Sequence, residues 1–122
     1  MTTVLYVEDN PANMRLVRRM LQADDMTMLE APDGYTGLAI ATEKKPDVIL
    51  MDINLPDIDG LMVTQQIKAN PELAHIPIIA VTAHAGDDRS RFFEAGCDAY
   101  LAKPVSRHEL RKAITHFLTV SV

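Results

Sequence analysis

Between two prolines, Pro46 and Pro56, four consecutive apolar residues, Val48 to Met51, narrow the fold more than any other feature of the chain. The run is too short for a helix and shows no polar alternation, so it reads as a strand covered on both faces. Such strands sit in the middle of parallel sheets with helices above and below. Asp52 stands where the strand ends, and Pro56 blocks continuation as a central strand. That end of an open α/β sheet is where ligands bind. A lone aspartate there is most often a turn former or a helix cap. What surrounds it decides whether it does more.

The same grammar repeats along the chain. Val4-Leu5-Tyr6-Val7 is a short apolar run ending in Glu8-Asp9-Asn10. Asn10 as N-cap and Pro11 at the first helical position start a helix with Met14, Val17 and Leu21 on one face. Met26-Thr27-Met28-Leu29-Glu30 is half polar, as an edge strand would be. A Pro32-Asp33-Gly34 turn leads into a helix carrying Leu38, Ala39 and Ala41 towards Lys45. After the Pro46–Pro56 strand, Asp57-Ile58-Asp59-Gly60 opens a helix with Leu61, Thr64 and Ile67, ended by Asn70-Pro71. Pro77 to Thr82 is a fourth strand finishing on a hydroxyl. Gly86-Asp87-Asp88 begins a helix containing Phe92 and Phe93, stopped by Gly96. Ala99-Tyr100-Leu101 is a fifth strand, ending at Ala102-Lys103-Pro104. Ser106 and Glu109 form a capping box for a last helix whose face is Leu110, Ala113, Ile114, Phe117 and Leu118.

Five βα units imply an α/β fold with a parallel sheet between two helical layers. Right-handed crossovers leave few arrangements, and the strand order 2-1-3-4-5 is the common one for five strands. In that order strands one and three are neighbours, about 4.8 Å apart, and the winding reverses between them. Glu8, Asp9 and Asp52 therefore converge, with Thr82 and Lys103 on the same rim. Like charges this close raise one another's pKa values unless a cation intervenes. An all-oxygen cluster suits Mg²⁺, or Mn²⁺, which keeps waters for a phosphate to displace. The backbone carbonyl of Asn54 is a further candidate ligand. A carboxylate can also attack phosphorus, and phosphoryl transfer needs mainly positioning and charge neutralisation.

Val7-Glu8-Asp9-Asn10, Leu50-Met51-Asp52-Ile53-Asn54-Leu55-Pro56, Val81-Thr82-Ala83 and Lys103-Pro104 together resemble the signature of response-regulator receiver domains. The match spans essentially the whole chain, in the right order and spacing. The segments Glu8-Asp9-Asn10-Pro11-Ala12-Asn13-Met14 and Pro71-Glu72-Leu73-Ala74-His75-Ile76-Pro77 are most similar to DivK-type single-domain regulators. The resemblance implies a CheY-like, flavodoxin-like three-layer fold and a place in two-component or phosphorelay signalling. It implies that Asp52 accepts a phosphoryl group from a histidine kinase or histidine phosphotransferase, with Glu8, Asp9 and Asp52 as metal ligands. Thr82 and Lys103 would contact the phosphoryl group, Tyr100 would match the family's switch aromatic, and the Lys103–Pro104 bond would be cis. A downstream effector would bind the face made by the fourth helix, fifth strand and fifth helix.

Composition bounds the remaining readings. With 122 residues the chain holds one domain, read as a single receiver over 1–122 with no output domain. Both termini read as natural and no linker follows the last helix, so a stand-alone protein is expected, with the receiver of a hybrid sensor kinase as the alternative. No apolar stretch approaches a membrane span, no signal peptide is present, and Cys97 is a lone small hydrophobe. A soluble cytoplasmic protein follows. A net charge of −5 argues against a nucleic-acid surface. His75, His84, His108 and His116 lack ligand spacing, although His84 holds a rim position that in the family tunes phosphoryl lifetime. Asp57, Asp59, Asp87 and Asp88 read as helix-start charges. A Mg²⁺-dependent phosphohydrolase using an aspartyl intermediate is a competing function, but no loop is long enough to cap a substrate. A receiver-like scaffold that is never phosphorylated is another.

Overall fold

In the structure, a computed structural model that describes residues 2–83 and 89–120, five strands alternate with five helices. The order is β1 (Thr3–Val7), α1 (Pro11–Ala23), β2 (Thr27–Ala31), α2 (Gly34–Lys44), β3 (Val48–Asp52), α3 (Gly60–Ala69), β4 (Ile78–Thr82), α4 (Arg89–Ala95), β5 (Ala99–Ala102) and α5 (Arg107–Val120). All pairings are parallel and the sheet runs β2-β1-β3-β4-β5, the doubly wound order expected. Side chains alternate across a strand, so β1 sends Val4 and Tyr6 to one layer and Leu5 and Val7 to the other. The first layer is completed by Met14, Val17 and Leu21 of α1 and Leu110 and Ile114 of α5. The second takes Ala41, Val63, Ile67 and Phe92 from α2, α3 and α4. Both faces of β3 are thus covered, and every residue from Val48 to Asp52 is buried.

The helix starts follow from caps. Asn10 accepts from Ala12 N at 2.8 Å, with Pro11 in the first turn of α1. Ser106 Oγ accepts from Glu109 N at 3.1 Å at the head of α5. Gly96, at φ 109°, turns the chain away from α4 in a left-handed conformation that a side chain would strain. Two expectations need correction. In α2, Ala39 is exposed, and the buried stripe is Gly34, Gly37 and Ala41. An added Cβ at Gly37 would lie 2.7 Å from Val7 Cγ2, so the stripe consists of small residues because α2 lies close on β1. Asp57 does serve a helix start, but that of α2 and not α3, whose N-cap is Asp59. Phe92 is buried and Phe93 half exposed. His84 and the helix start expected at Gly86-Asp87-Asp88 lie outside the described residues.

Candidate functional site

Register brings the carboxylates together. Val7 pairs with Met51, so the residues that follow each, Glu8 and Asp52, emerge side by side where the winding reverses. Oxygens of Glu8, Asp9 and Asp52 lie within 4.8 Å of one another. Glu8 and Asp52 are 2 % and 3 % exposed, whereas Asp9 faces solvent. Charge left in so dry a place needs partners. Lys103 supplies one: its Nζ stands 3.3 Å from Glu8 Oε1 and 3.4 Å from Asp52 Oδ1. It arrives from the end of β5, where Lys103 N donates to Thr82 O at 2.8 Å and the Lys103–Pro104 peptide is cis. Asn13, one turn into α1, donates from Nδ2 to Glu8 Oε1 at 2.6 Å. Asn54 N donates to Asp52 Oδ1 at 3.2 Å, folding the loop after β3 back on the carboxylate.

The other predicted residues fall on the same rim. Thr82 ends β4, is 3 % exposed, and pairs with Ala102 of β5. Tyr100, in β5, is half-buried against α4, its ring 6.3 Å from Phe92 and 6.2 Å from Phe93. The Arg89 guanidinium lies 5.6 Å from its centroid. Beside Glu8 and Asp9 an open cleft of about 380 Å³ runs along Pro11, Met14 and Arg15.

Sequence reasoning assigned no role to three residues that build the site. Asn13 belongs to the motif after β1, and its signal was its place five residues past Glu8, one turn along a helix that starts at the rim. Gly60 packs on the phosphoacceptor candidate's own backbone: a Cβ there would meet Asp52 O at 2.2 Å. Tyr6 is buried in β1 below the cluster, and burial together with the Glu8 and Asp52 charges drives its pKa above the usual phenol range. It stays neutral.

Burial raises the pKa of Glu8 to about 7; its contact with Asp52 adds to this, and Asn13 and Lys103 oppose it. A carboxyl whose pKa is higher in the folded chain holds its proton more tightly there than in the unfolded chain. The contribution of Glu8 to the stability of the metal-free protein should therefore decline as pH rises from about 4.5 to about 7. A divalent cation competes with that proton, so Mg²⁺ should stabilise the fold more at pH 8 than at pH 5.5. Thermal melts at both pH values, with and without Mg²⁺, check this; equal Mg²⁺ responses would contradict it.

The donor set also says which cation fits. It is all hard oxygen, with no described thiolate or imidazole beside it, and it holds more negative charge than Lys103 neutralises. Mg²⁺ and Mn²⁺ suit such a set.

Comparison with known proteins agrees with this geometry. A family model for the response regulator receiver domain matches residues 4–115. The chain is 43 % identical to the polar-differentiation response regulator DivK of Brucella anthropi over 117 residues, 95 % of both proteins. It resembles the crystal structure of the receiver domain of a Pseudomonas aeruginosa sensor histidine kinase, PA1611, solved with a magnesium ion coordinated in the active-site cleft. That match has a TM-score of 0.90 and 36 % identity, covering 97 % of this chain and 98 % of that one. The Mn²⁺-bound form of response regulator Rcp1 matches with a TM-score of 0.78 and 32 % identity, over 95 % of this chain and 91 % of that one.

Proposed function

The chain belongs to the response-regulator receiver family, and from that premise we propose that Asp52 is its phosphoacceptor, fed by a phosphohistidine on a partner kinase or phosphotransferase. The observation that carries the proposal is a carboxylate only 3 % exposed at the C-terminal end of the central strand, 3.4 Å from Lys103 and within reach of two further carboxylates. A structural aspartate has no need of such surroundings.

In the transfer, an Asp52 carboxylate oxygen attacks phosphorus and an O–P bond forms as the histidine N–P bond breaks. The bonding pair leaves on the imidazole nitrogen. Glu8, Asp9 and Asp52, with the Asn54 carbonyl, would hold Mg²⁺ or Mn²⁺. A cation bound there would neutralise charge on the phosphoryl oxygens. Lys103, already ion-paired with Asp52, swings its ammonium onto a phosphoryl oxygen, and Thr82 donates its hydroxyl to another. Asn13 holds Glu8 in place. The cleft along Pro11 and Arg15 leaves the donor an approach. Hydrolysis reverses the gain: water attacks phosphorus, the Asp52 O–P bond breaks, and inorganic phosphate departs.

The signal passes to protein partners. Movement of Thr82 towards the phosphoryl group opens space beside β4, where the next residue, Ala83, is small. Tyr100, on the neighbouring strand, turns inward and changes the face built from α4, β5 and α5, where the effector binds. A small differential affinity suffices to drive such a two-state shift. DivK is matched over 95 % of its own length, which supports a receiver acting without an attached output domain. The likeness to PA1611 supports the alternative of a module within a sensor kinase. No helix among the described residues is long and apolar enough to cross a membrane.

Incubation with acetyl phosphate and Mg²⁺ should add one hydroxylamine-labile phosphoryl group, located on Asp52 by peptide mapping. Amide hydrogen exchange on the labelled protein should change around Tyr100 and in α5. Labelling on another residue, or labelling that ignores removal of Mg²⁺, would refute the assignment.

A further inference from the structure

We propose that Asp57 is a positioning residue for the metal and phosphoacceptor site, its carboxylate fastening the loop that follows Asp52 to the start of helix α2. The inference rests on the receiver reading above and adds a part to its machinery. Residues 53–59 connect β3 to α3 and carry Asn54, whose amide holds the Asp52 carboxylate and whose carbonyl is a candidate metal ligand. An exposed loop of this kind needs ties to keep those groups in place. One closes it at its far end, where Gly60 N donates to Ile53 O at 3.0 Å. The other leaves the loop altogether. Asp57 Oδ1 accepts from Gly34 N at 2.8 Å, and its Oδ2 from Tyr35 N at 3.0 Å.

Those two amides open α2, which has no intrahelical partner for them. The helix caps only the third amide itself, through Asp33 Oδ1 and Thr36 N at 2.7 Å. The loop thus supplies two of the three acceptors that the first turn requires. A second observation shows that the contact is built in. A Cβ on Gly34 would lie 2.2 Å from Ile58 Cγ2 and 3.3 Å from Asp57 Oδ1, so only a glycine lets loop and helix meet this closely. Burial alone would raise the pKa of Asp57. The amides of Tyr35 and Gly34, with those of Asp57 and Ile58, outweigh it and hold the group below the ordinary range. The carboxylate is ionised at neutral pH, the form that accepts both bonds. Helix α2 in turn lies close on β1 through Gly37, and β1 delivers Glu8 and Asp9. Asp57 therefore joins the loop bearing one half of the site to the layer that carries the other.

The test compares Asp57→Ala, Asp57→Asn and Asp33→Ala with the parent, all at native pH and moderate salt. Asp57→Ala should speed exchange of the Gly34 and Tyr35 amides about tenfold, as loss of a cap does. It should also loosen residues 53–60 and weaken Mg²⁺, titrated alone and followed by amide shifts, roughly three- to tenfold. That is less than loss of a group bonded directly to a metal ligand. Asp57→Asn removes the same charge but keeps an acceptor oxygen, so it should fall nearer the parent. Asp33→Ala loosens the same helix start without touching the loop and should leave Mg²⁺ affinity unchanged. Unchanged loop exchange and Mg²⁺ affinity in Asp57→Ala would overturn the proposal. So would losses of Mg²⁺ affinity as large in Asp33→Ala or in Asp57→Asn, which would mean helix integrity or simple charge. Were the parent itself to bind no Mg²⁺, the receiver reading would fall, while exchange of residues 53–60 would still judge the clamp.

Discussion

Asp52→Asn is expected to accept no phosphoryl group and, without metal, to be more stable than the parent. The first effect follows from chemistry. The neutral amide oxygen is a poor nucleophile, and no other described carboxylate is held against Lys103 except Glu8, which Asn13 also engages. The second follows from electrostatics. Three carboxylates hold oxygens within 4.8 Å of one another, and two are nearly dry, yet among the described residues a single ammonium answers them. Asparagine keeps the shape and can still accept from Asn54 N, but it removes one of the three charges. Burial is the larger cause of the raised Glu8 pKa, but Asp52 adds to it, so Glu8 should titrate lower in the variant.

A gain on the order of 1–2 kcal/mol above pH 7 is a fair scale for removing one crowded, poorly compensated charge. That moves the melting temperature up by roughly 5 °C. Mg²⁺ stabilises the native state by mass action, and the variant, one ligand short, should respond less. The two melting curves should therefore approach each other, or cross, as Mg²⁺ is added. A variant less stable than the parent in the absence of metal would mean that the Lys103–Asp52 pair outweighs the repulsion. Undiminished labelling would remove Asp52 from the chemistry altogether.

The parts of this site that were legible in the sequence are those written in local periodicity. Buried apolar runs such as Val48–Met51, each ending on a polar residue and followed by a helical stripe, give the strand order and put Glu8, Asp9, Asp52, Thr82 and Lys103 on one rim. Caps such as Asn10 and Ser106 act on residues two or three positions ahead, so a reader of the chain sees both partners. Asp57 is different. Its partners are Gly34 and Tyr35, 23 and 22 positions away, and nothing local distinguishes it from a cap for α3. Ala39 was misplaced for another reason: alanine carries little facial preference, while the glycines that mark the true stripe of α2 read from the chain as weak helix formers. Close approach between backbones leaves no periodic trace. Only the folded chain shows which glycines are there for want of space.

Gly60 is the one among them with the largest expected consequence. Gly60→Ala should lower stability by about 2–3 kcal/mol, roughly 10 °C in melting temperature, and should damage the site as well as the fold. Alanine suits a helix better than glycine, by about 1 kcal/mol, so propensity predicts the opposite sign. Space decides against it. The new Cβ would stand 2.2 Å from Asp52 O, 2.9 Å from Ile53 Cα and 3.0 Å from Asp52 C, and all three atoms are backbone. No rotamer change can relieve such contacts. Either α3 moves outward, breaking the bond from Gly60 N to Ile53 O, or the end of β3 shifts and takes the Asp52 carboxylate with it. Gly37→Ala offers the comparison. Its Cβ would meet Val7 Cγ2 at 2.7 Å, a side chain in the core on the far side of β1 from Glu8's partners in α1. That variant should be destabilised too, but Gly37 meets a side chain and not the backbone of Asp52, so its Mg²⁺ affinity and its labelling by acetyl phosphate should fall less than those of Gly60→Ala. Gly60→Ala should lose at least tenfold in Mg²⁺ affinity, the lower end of what displaced ligand supports cost. Melts and Mg²⁺ titrations of both variants separate the outcomes: if Gly60→Ala binds Mg²⁺ as tightly as Gly37→Ala does, helix α3 yields to the clash and Asp52 does not depend on it for position.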